Sequence, residues 1–281
     1  MSKTVILVCA HKQDACLKTP PYQPVQVGRA ISQTELPFAV GDDTGDNISD
    51  RNRRYCELTA HYWAWKNLRD ADYIGLNHYR RYFDFEGSSV CNLKTVPTAR
   101  FFGREHPAPD CQRLFRRCDA VLARPKVYPY NLFTDYCRCH LREHLMTTRQ
   151  VIAERHPDYL AAFDRMFFRN NRLSHFNMFV LPRERFEAYS AWLFDILFEV
   201  ERRIEIQDDP VQGRVMGYLS ERLLSVWVRH NRLKICYKTV LMVNDQKRKG
   251  LGKHLFHTTV NTLAYWITYP LRRRSPRRAA E

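Results

Sequence analysis

TVILVCA, residues 4–10, is the stretch that decides the fold. It shows no alternation of polar and apolar residues, so it does not suit a strand with one wet face. A continuous apolar run of this length reads as a strand covered on both sides, as inside a parallel or mixed sheet. The run halts at His11 and Lys12, which puts polar groups at the strand's carboxyl end. Only six apolar residues stand in succession, with no small-residue cleavage site after them, so the start is not read as a secretory signal.

Outward from this strand the chain alternates. Tyr22 to Val27 suits a second short strand, and the polar stretch Gly41 to Asp50 (GDDTGDNISD) a loop. In Tyr55 to Leu68 the residues Leu58, Tyr62 and Trp65 recur at helical spacing. Asp72 to Tyr79 (DYIGLNHY) and Asp119 to Ala123 (DAVLA) read as strands, the latter closed by Pro125. Tyr130 to Arg169 reads as helix in two pieces broken at Pro157, and Phe176 to Leu181 (FNMFVL) as a strand. Arg183 to Ile206 carries Leu193, Leu197, Val200 and Ile204 along one helical face. Gln212 to Arg229 is expected to be a helix and Lys234 to Val243 the last strand. Strands alternating with helices imply an α/β layered fold.

At 281 residues, 44% hydrophobic and 13% aromatic, the chain has enough apolar material for a sizeable core, which excludes a disordered protein. Nine cysteines at irregular spacing do not make the paired framework of a small secreted domain, and a reducing cytoplasm fits them better. The Cys137-x-Cys139-His140 string lacks the usual zinc spacing. No apolar run approaches the ~18–20 residues needed to cross a bilayer. The charge is uneven: residues 247–281 hold nine Lys or Arg against one acid, so +8 of the +15 lies there.

In open α/β sheets a ligand lies beyond the carboxyl ends of the strands, which directs attention to the loops after Ala10, Tyr79, Ala123 and Leu181. His11 and Lys12 follow the first strand; His78, Arg80 and Arg81 close the third in NHYRRYF. Cations held there would stabilise a diphosphate leaving group more in the transition state than before it. Adjacent arginines can equally pair with surface acids. Where an Asp-x-Asp metal pair would be expected the chain reads Asn77-His78-Tyr79, leaving Asp84-x-Glu86 and Asp42-Asp43 as weak candidates for Mn or Mg. A metal-independent site with basic side chains in place of the ion is therefore favoured.

In GRVMGYLSERLLSVW, Gly213, Gly217 and Glu221 recur every four residues and line up along one helical row. Glu221 is the candidate general base for an inverting transfer, and the two glycines suggest a trough for substrate. Arg214 flanks the row, while His140, His175 and Asn177 are candidates for binding acceptor hydroxyls. Trp63, Trp65 and Tyr79 are candidates for ring stacking, though helical spacing also suits core residues. Leu255 to Leu271 places Phe256, Val260, Leu263 and Ile267 on one helical face, directly before RRRSPRR. Such a segment suits an anionic membrane surface, or else a helix docked on the domain.

The strings VCAHK, GDDTGDNIS, YCELTAHYWAWKN, GLNHYRRYF, FNMFVL and GYLSERLLSVW, in that order, resemble the family catalogued as domain of unknown function 4422. The resemblance covers roughly residues 4–245. It implies a GT-A-like glycosyltransferase of capsule, exopolysaccharide or O-antigen (lipopolysaccharide) biosynthesis, with a mixed sheet flanked by helices. A nucleotide-sugar half (1–125) would be followed by an acceptor half (126–245), with residues 246–281 a basic, membrane-associating tail outside the shared domain. Some members resemble galactofuranosyltransferases that use UDP-galactofuranose. Carried over by position, donor binding falls to His11, Lys12, Asp46, Asn47, Ile48, Lys66, His78, Arg80 and Arg81. The expected partners are a UDP-sugar, a glycan or lipid-linked glycan acceptor and an anionic membrane, with no required cofactor and no nucleic acid. The expected location is the cytoplasmic face of the plasma membrane. The alternatives are a basic nucleic-acid-binding protein, which pI ≈ 9.6 suggests but no binding motif supports, and an inactive scaffold of a glycan-assembly complex.

Overall fold

A computed structural model describes residues 2–246 and 251–272. Its strands are β1 (Thr4–Ala10), β2 (Tyr22–Gln26), β3 (Val40–Gly41), β4 (Tyr73–His78), β5 (Arg81–Phe83), β6 (Leu93–Val96), β7 (Ala120–Ala123), β8 (Lys126–Val127), β9 (Arg172–Leu173), β10 (Phe179–Pro182), β11 (Ile235–Lys238) and β12 (Val240–Val243). Its helices are α1 (Asn52–Tyr55), α2 (Leu58–Asn67), α3 (Thr98–Phe102), α4 (Cys111–Leu114), α5 (Leu132–Cys139), α6 (Arg142–Arg155), α7 (Leu160–Phe168), α8 (Arg183–Arg203), α9 (Val215–His230) and α10 (Leu251–Arg272).

The opening strand explains its own composition. Val5, Leu7 and Cys9 point into one core, shared with Leu58 and Tyr62 of α2, Phe194 and Leu197 of α8 and Leu223 of α9. Ile6 and Val8 point into a second core, with Tyr82, Phe101 and Val180. A strand covered on both faces has no use for alternation. The main sheet has ten strands, with β11-β7-β10-β4-β1-β2-β3 along its path and β5, β6 and β12 as a side branch. β1 runs parallel to β2 and β4, while β10 is inserted antiparallel between β4 and β7. This is the mixed α/β sheet flanked by helices that the sequence implies.

Several boundaries differ from expectation. The last strand divides at Thr239: β11 pairs with β7, whereas β12 crosses to β5 and β6. The Thr239 hydroxyl donates to the carbonyls of Ser89 and Cys91, pinning that crossover. β10 begins at Phe179 rather than Phe176, because Phe176 and Asn177 have φ of 76° and 52°, outside the range of a strand. The helical stretch after Tyr130 breaks at His140 as well as at Pro157, and no proline or glycine marks the first break. Gln212–Arg214 is a 3₁₀ turn, and the α-helix starts only at Val215.

His61 of α2 is buried among the rings of Phe179, Phe186, Tyr189 and Phe194, with its Nε2 2.8 Å from the Ser190 hydroxyl. Burial lowers its pKa from 6.5 to about 3. The unfolded chain therefore takes up a proton below pH 6.5 that the folded one refuses until about pH 3. Stability should fall across that window by up to about 1.4 kcal/mol per pH unit from this group. Urea midpoints measured from pH 7 to 3 should show a shallower decline for His61→Leu than for the unsubstituted chain; equal slopes would contradict a neutral buried imidazole.

Candidate active site

Parallel pairing sets the ends of β1 and β4 side by side: Cys9 lies opposite His78, and Tyr79 N–H donates to the Cys9 carbonyl. His11, just past β1, meets the Tyr79 ring edge-on at 5.4 Å. β7 runs in the same sense as β4 and delivers Lys126 and Tyr128 to the same edge. β10 runs the other way, so the residues before it, His175 to Asn177, reach this edge while the loop after Leu181 lies at the opposite one. Of the four strand-end loops expected to line a site, the one after Leu181 is thus replaced by the one before Met178.

These ends open into a cavity of about 1520 Å³. It is lined by His11, His78, Arg80, Arg81, His140, His175, Asn177, Arg214 and Glu221 among others, so nine of the candidates converge on one space. His78 is held by its Nε2, 2.7 Å from the Phe176 carbonyl, and burial lowers its pKa. The Arg81 guanidinium lies 4.6 Å from the Phe176 ring centre, and burial lowers its pKa too. Arg80 forms a 2.5 Å ion pair with Asp14 at the cavity's outer edge. His140 packs 4.1 Å from the Tyr218 ring, and burial lowers its pKa to about 4. Arg214 Nε donates to Cys56 Sγ at 3.2 Å.

Lys12, Asp46, Asn47, Ile48 and Lys66 are not among the lining residues. Lys12 is exposed, Ile48 is buried, and Asp46 pairs with Lys66 at 3.9 Å while accepting from the Tyr62 hydroxyl. Asn47 bonds within its own loop, to the Gly45 carbonyl and the Ser49 N–H. Trp63 Nε1 donates to Thr44 and Trp65 stacks on Phe194, so both rings serve the packing of α2. The loop is stapled from inside by Asp42, which is fully buried and accepts from Gly28 N–H, Arg29 N–H and the Ser49 hydroxyl. Asp84 accepts from Gly87 N–H, and Glu86 pairs with Arg104 at 3.6 Å. Among the described residues no group of three His, Cys, Asp or Glu is arranged to hold a metal ion.

The Ser220-Glu221-Arg222 string works as a clamp. Ser220 donates to Asn177 Oδ1 at 2.9 Å, and Arg222, buried, donates to Asp135 at 3.2 Å. Glu221 Oε1 accepts from Phe176 N–H at 2.5 Å; its Oε2 lies 3.4 Å from His175 Nδ1 and 3.6 Å from Arg222. Burial alone would raise the Glu221 pKa, but His175, Arg222 and the Phe176 N–H outweigh it and bring the value to about 2. Gly213 stands in the 3₁₀ turn and Gly217 on α9, where an added Cβ would make an ordinary 3.4 Å contact with Cys56 Sγ, and both glycines line the cavity together with Glu221.

Among the described residues, four that are not glycine have positive φ: Cys56, Phe176, Asn177 and Arg232. All but Arg232 line this cavity. Strained backbone gathers where surrounding contacts hold a functional geometry. Sequence reasoning missed this, and it left Glu57, Cys56, Asp135 and Tyr128 without assigned roles. Glu57 could be found only through the YCELT string of the family resemblance.

The family described as Domain of unknown function (DUF4422) matches residues 5–232. Among solved structures, the apo form of WbbM, a bifunctional glycosyltransferase, is similar with a TM-score of 0.78 and 29% identity. That similarity covers 87% of this chain and 46% of the WbbM chain, so this chain spans about half the length of the solved one. No curated protein matches.

Because the folded Glu221 carboxyl binds its proton near pH 2 rather than 4.5, it contributes stability that is present above pH 4.5 and lost as pH falls toward 2. Its size is on the order of 3 kcal/mol. Glu221→Gln should erase this acid limb in denaturation curves at pH 7 and pH 3, and Glu221→Ala should cost about 1–3 kcal/mol more by orphaning the Phe176 N–H. Equal losses for the parent and Glu221→Gln on acidification would refute the clamp.

Proposed function

This chain belongs to the DUF4422 family, and from that premise we propose that it is a glycosyltransferase transferring a hexose from a UDP-sugar to a hydroxyl of a lipid-linked or growing surface polysaccharide. One observation carries the reading: a single cavity joins basic strand ends to carboxylates just before α2 and on α9. A drug-sized ligand fills roughly 300–1,000 Å³, so about 1520 Å³ has room for a donor and an acceptor hydroxyl together. WbbM, the similar solved structure, supports the same class of chemistry.

In this reading His11, His78, Arg80 and Arg81 bind the donor diphosphate. As the anomeric C–O bond breaks, charge builds on the leaving phosphate, and cations fixed beforehand stabilise it without reorganisation. Arginines can fill the role of a divalent ion, so transfer needs no added metal. Asp46, Asn47, Ile48 and Lys66 act from outside the cavity by fixing the loop beside it. His140, His175, Asn177 and Arg214 line the acceptor side, consistent with a donor half in residues 1–125 and an acceptor half in 126–245. Direct attack by the acceptor inverts the anomeric centre. The choice of UDP-galactofuranose rests on the family resemblance alone.

UDP-galactofuranose generated in place should raise the melting temperature in excess chelator. At 100 times its Kd the gain is about 2.7 kcal/mol. Arg81→Ala should lose most of that shift. A panel in which no UDP-sugar stabilises the protein, while RNA or DNA does, would favour the nucleic-acid alternative.

The chain is also proposed to sit on an anionic membrane. α10 docks through Asn261, whose side chain donates to the Val127 carbonyl at 2.9 Å, and through buried Tyr265. The opposite face exposes Leu255, Phe256, Val260, Leu263, Trp266 and Ile267. The arginines at 273, 274, 277 and 278 and the basic residues at 247–249 lie outside the described residues, but the sequence sets them at the two ends of this helix. An apolar face between cationic ends matches an anionic bilayer lying along the helix, each charge adding about 1 kcal/mol. Among the described residues no helix is long and apolar enough to cross a membrane. Co-sedimentation with phosphatidylglycerol vesicles, lost in phosphatidylcholine and weakened at least tenfold by Phe256→Asp with Leu263→Asp, is the expected result. Failure to bind either vesicle would end the membrane reading.

A further inference from the structure

The cavity holds two well-placed carboxylates, and the structure separates their jobs. Both oxygens of Glu221 are engaged by protein groups: one by the Phe176 N–H, the other by His175 and Arg222. Protonating a carboxylate so occupied would weaken its hold on the turn.

Glu57 is different. It precedes α2 at the cavity wall, and its Oε1 accepts from Asn177 Nδ2 at 2.7 Å. Among the described residues its Oε2 makes no hydrogen bond. Asn177 is itself locked, donating to the Gly217 carbonyl and accepting from Ser220, with its backbone left-handed. The Asn177 amide thus fixes one oxygen of Glu57 and leaves the other for a ligand. The charged and titratable groups that feel Glu57 from the surrounding elements are Cys9 on β1, His78 and Arg81 at the ends of β4 and β5, Cys56 beside it, and Arg214 before α9.

We propose that Glu57 is the general base of the transfer and that Glu221 is a positioning residue, holding the Phe176–Asn177 turn that aims it. This rests on the glycosyltransferase reading above. The acceptor oxygen forms a bond to the anomeric carbon as the carbon–phosphate-oxygen bond breaks. The electron pair leaves with UDP, and the hydroxyl proton passes to Glu57 Oε2 and then to solvent. Arg81 and His78 line the same cavity as Glu57 and face the diphosphate when the donor is bound, so the base and the leaving-group ligands share one site.

The test compares the full chain with Glu57→Gln, Glu57→Asp and Glu221→Gln. UDP binding is read by calorimetry, and UDP release from UDP-galactofuranose generated in place is read with a panel of octyl glycosides as acceptors. Glu57→Gln should bind UDP within about threefold of the parent yet lose roughly 10²–10⁴-fold in kcat. The acidic limb of its pH–rate profile should vanish, and Glu57→Asp should restore part of the rate and that limb. Glu221→Gln should lower the melting temperature while retaining the acidic limb. A Glu57→Gln rate within tenfold of the parent, or an acidic limb abolished by Glu221→Gln instead, overturns the assignment. So does a Glu57→Gln chain that no longer binds UDP or melts early without rescue by Asp, because Glu57 would then be structural. If the parent itself neither binds UDP nor releases it from the donor, the glycosyltransferase reading fails first, which is a separate result.

Discussion

The site depends on one hydrogen bond between unlike elements: the Phe176 N–H given to Glu221 across 2.5 Å. Phe176 and Asn177 must both turn left-handed to lead from His175 into β10, and neither residue adopts that conformation without cost. Glu221 and Ser220, one helical position apart on α9, hold the backbone of the first and the side chain of the second. The same turn offers the Phe176 carbonyl to His78, the Phe176 ring to Arg81 and the Asn177 amide to Glu57. Three cavity groups are therefore oriented through two strained residues.

That arrangement follows from inserting β10 antiparallel beside β4. In an all-parallel sheet every loop at the ligand edge would leave a strand, and the helix after it would carry the site. Here one loop arrives instead of leaving, so a short preformed segment is pressed between β4 and α9. Burial in this wedge explains the electrostatics. His78, His140 and Arg81 are all disfavoured as cations by desolvation, while the carboxylates beside them offset part of that cost.

The helix α10 is fixed beside a wall of the cavity. Asn261 binds the Val127 carbonyl of β8, and the neighbours of Val127 on either side, Lys126 and Tyr128, line the cavity. A helix fixed there relates any surface it rests on to this wall of the cavity. The apolar residues it exposes are spaced as a helix stripe but on the side away from the domain, the reverse of an ordinary docked helix.

By itself the sequence determined the layered α/β class, since the doubly buried run 4–10, the helical stripe on α8 and the strand ends rich in His and Arg are local patterns whose physical cause is local. It also marked one wall of the cavity, because His11, His78, Arg80 and Arg81 stand at or just past strand ends wherever those strands go. Tertiary structure alone decided the rest. The direction of β10, the splitting of the last strand at Thr239, and the left-handed turn at Phe176 depend on partners more than 40 residues away, and no periodicity carries that information. The roles of the two glutamates differ for the same reason. Spacing on a helix makes Glu221 conspicuous, but which oxygen is already bonded is a property of what packs across from it.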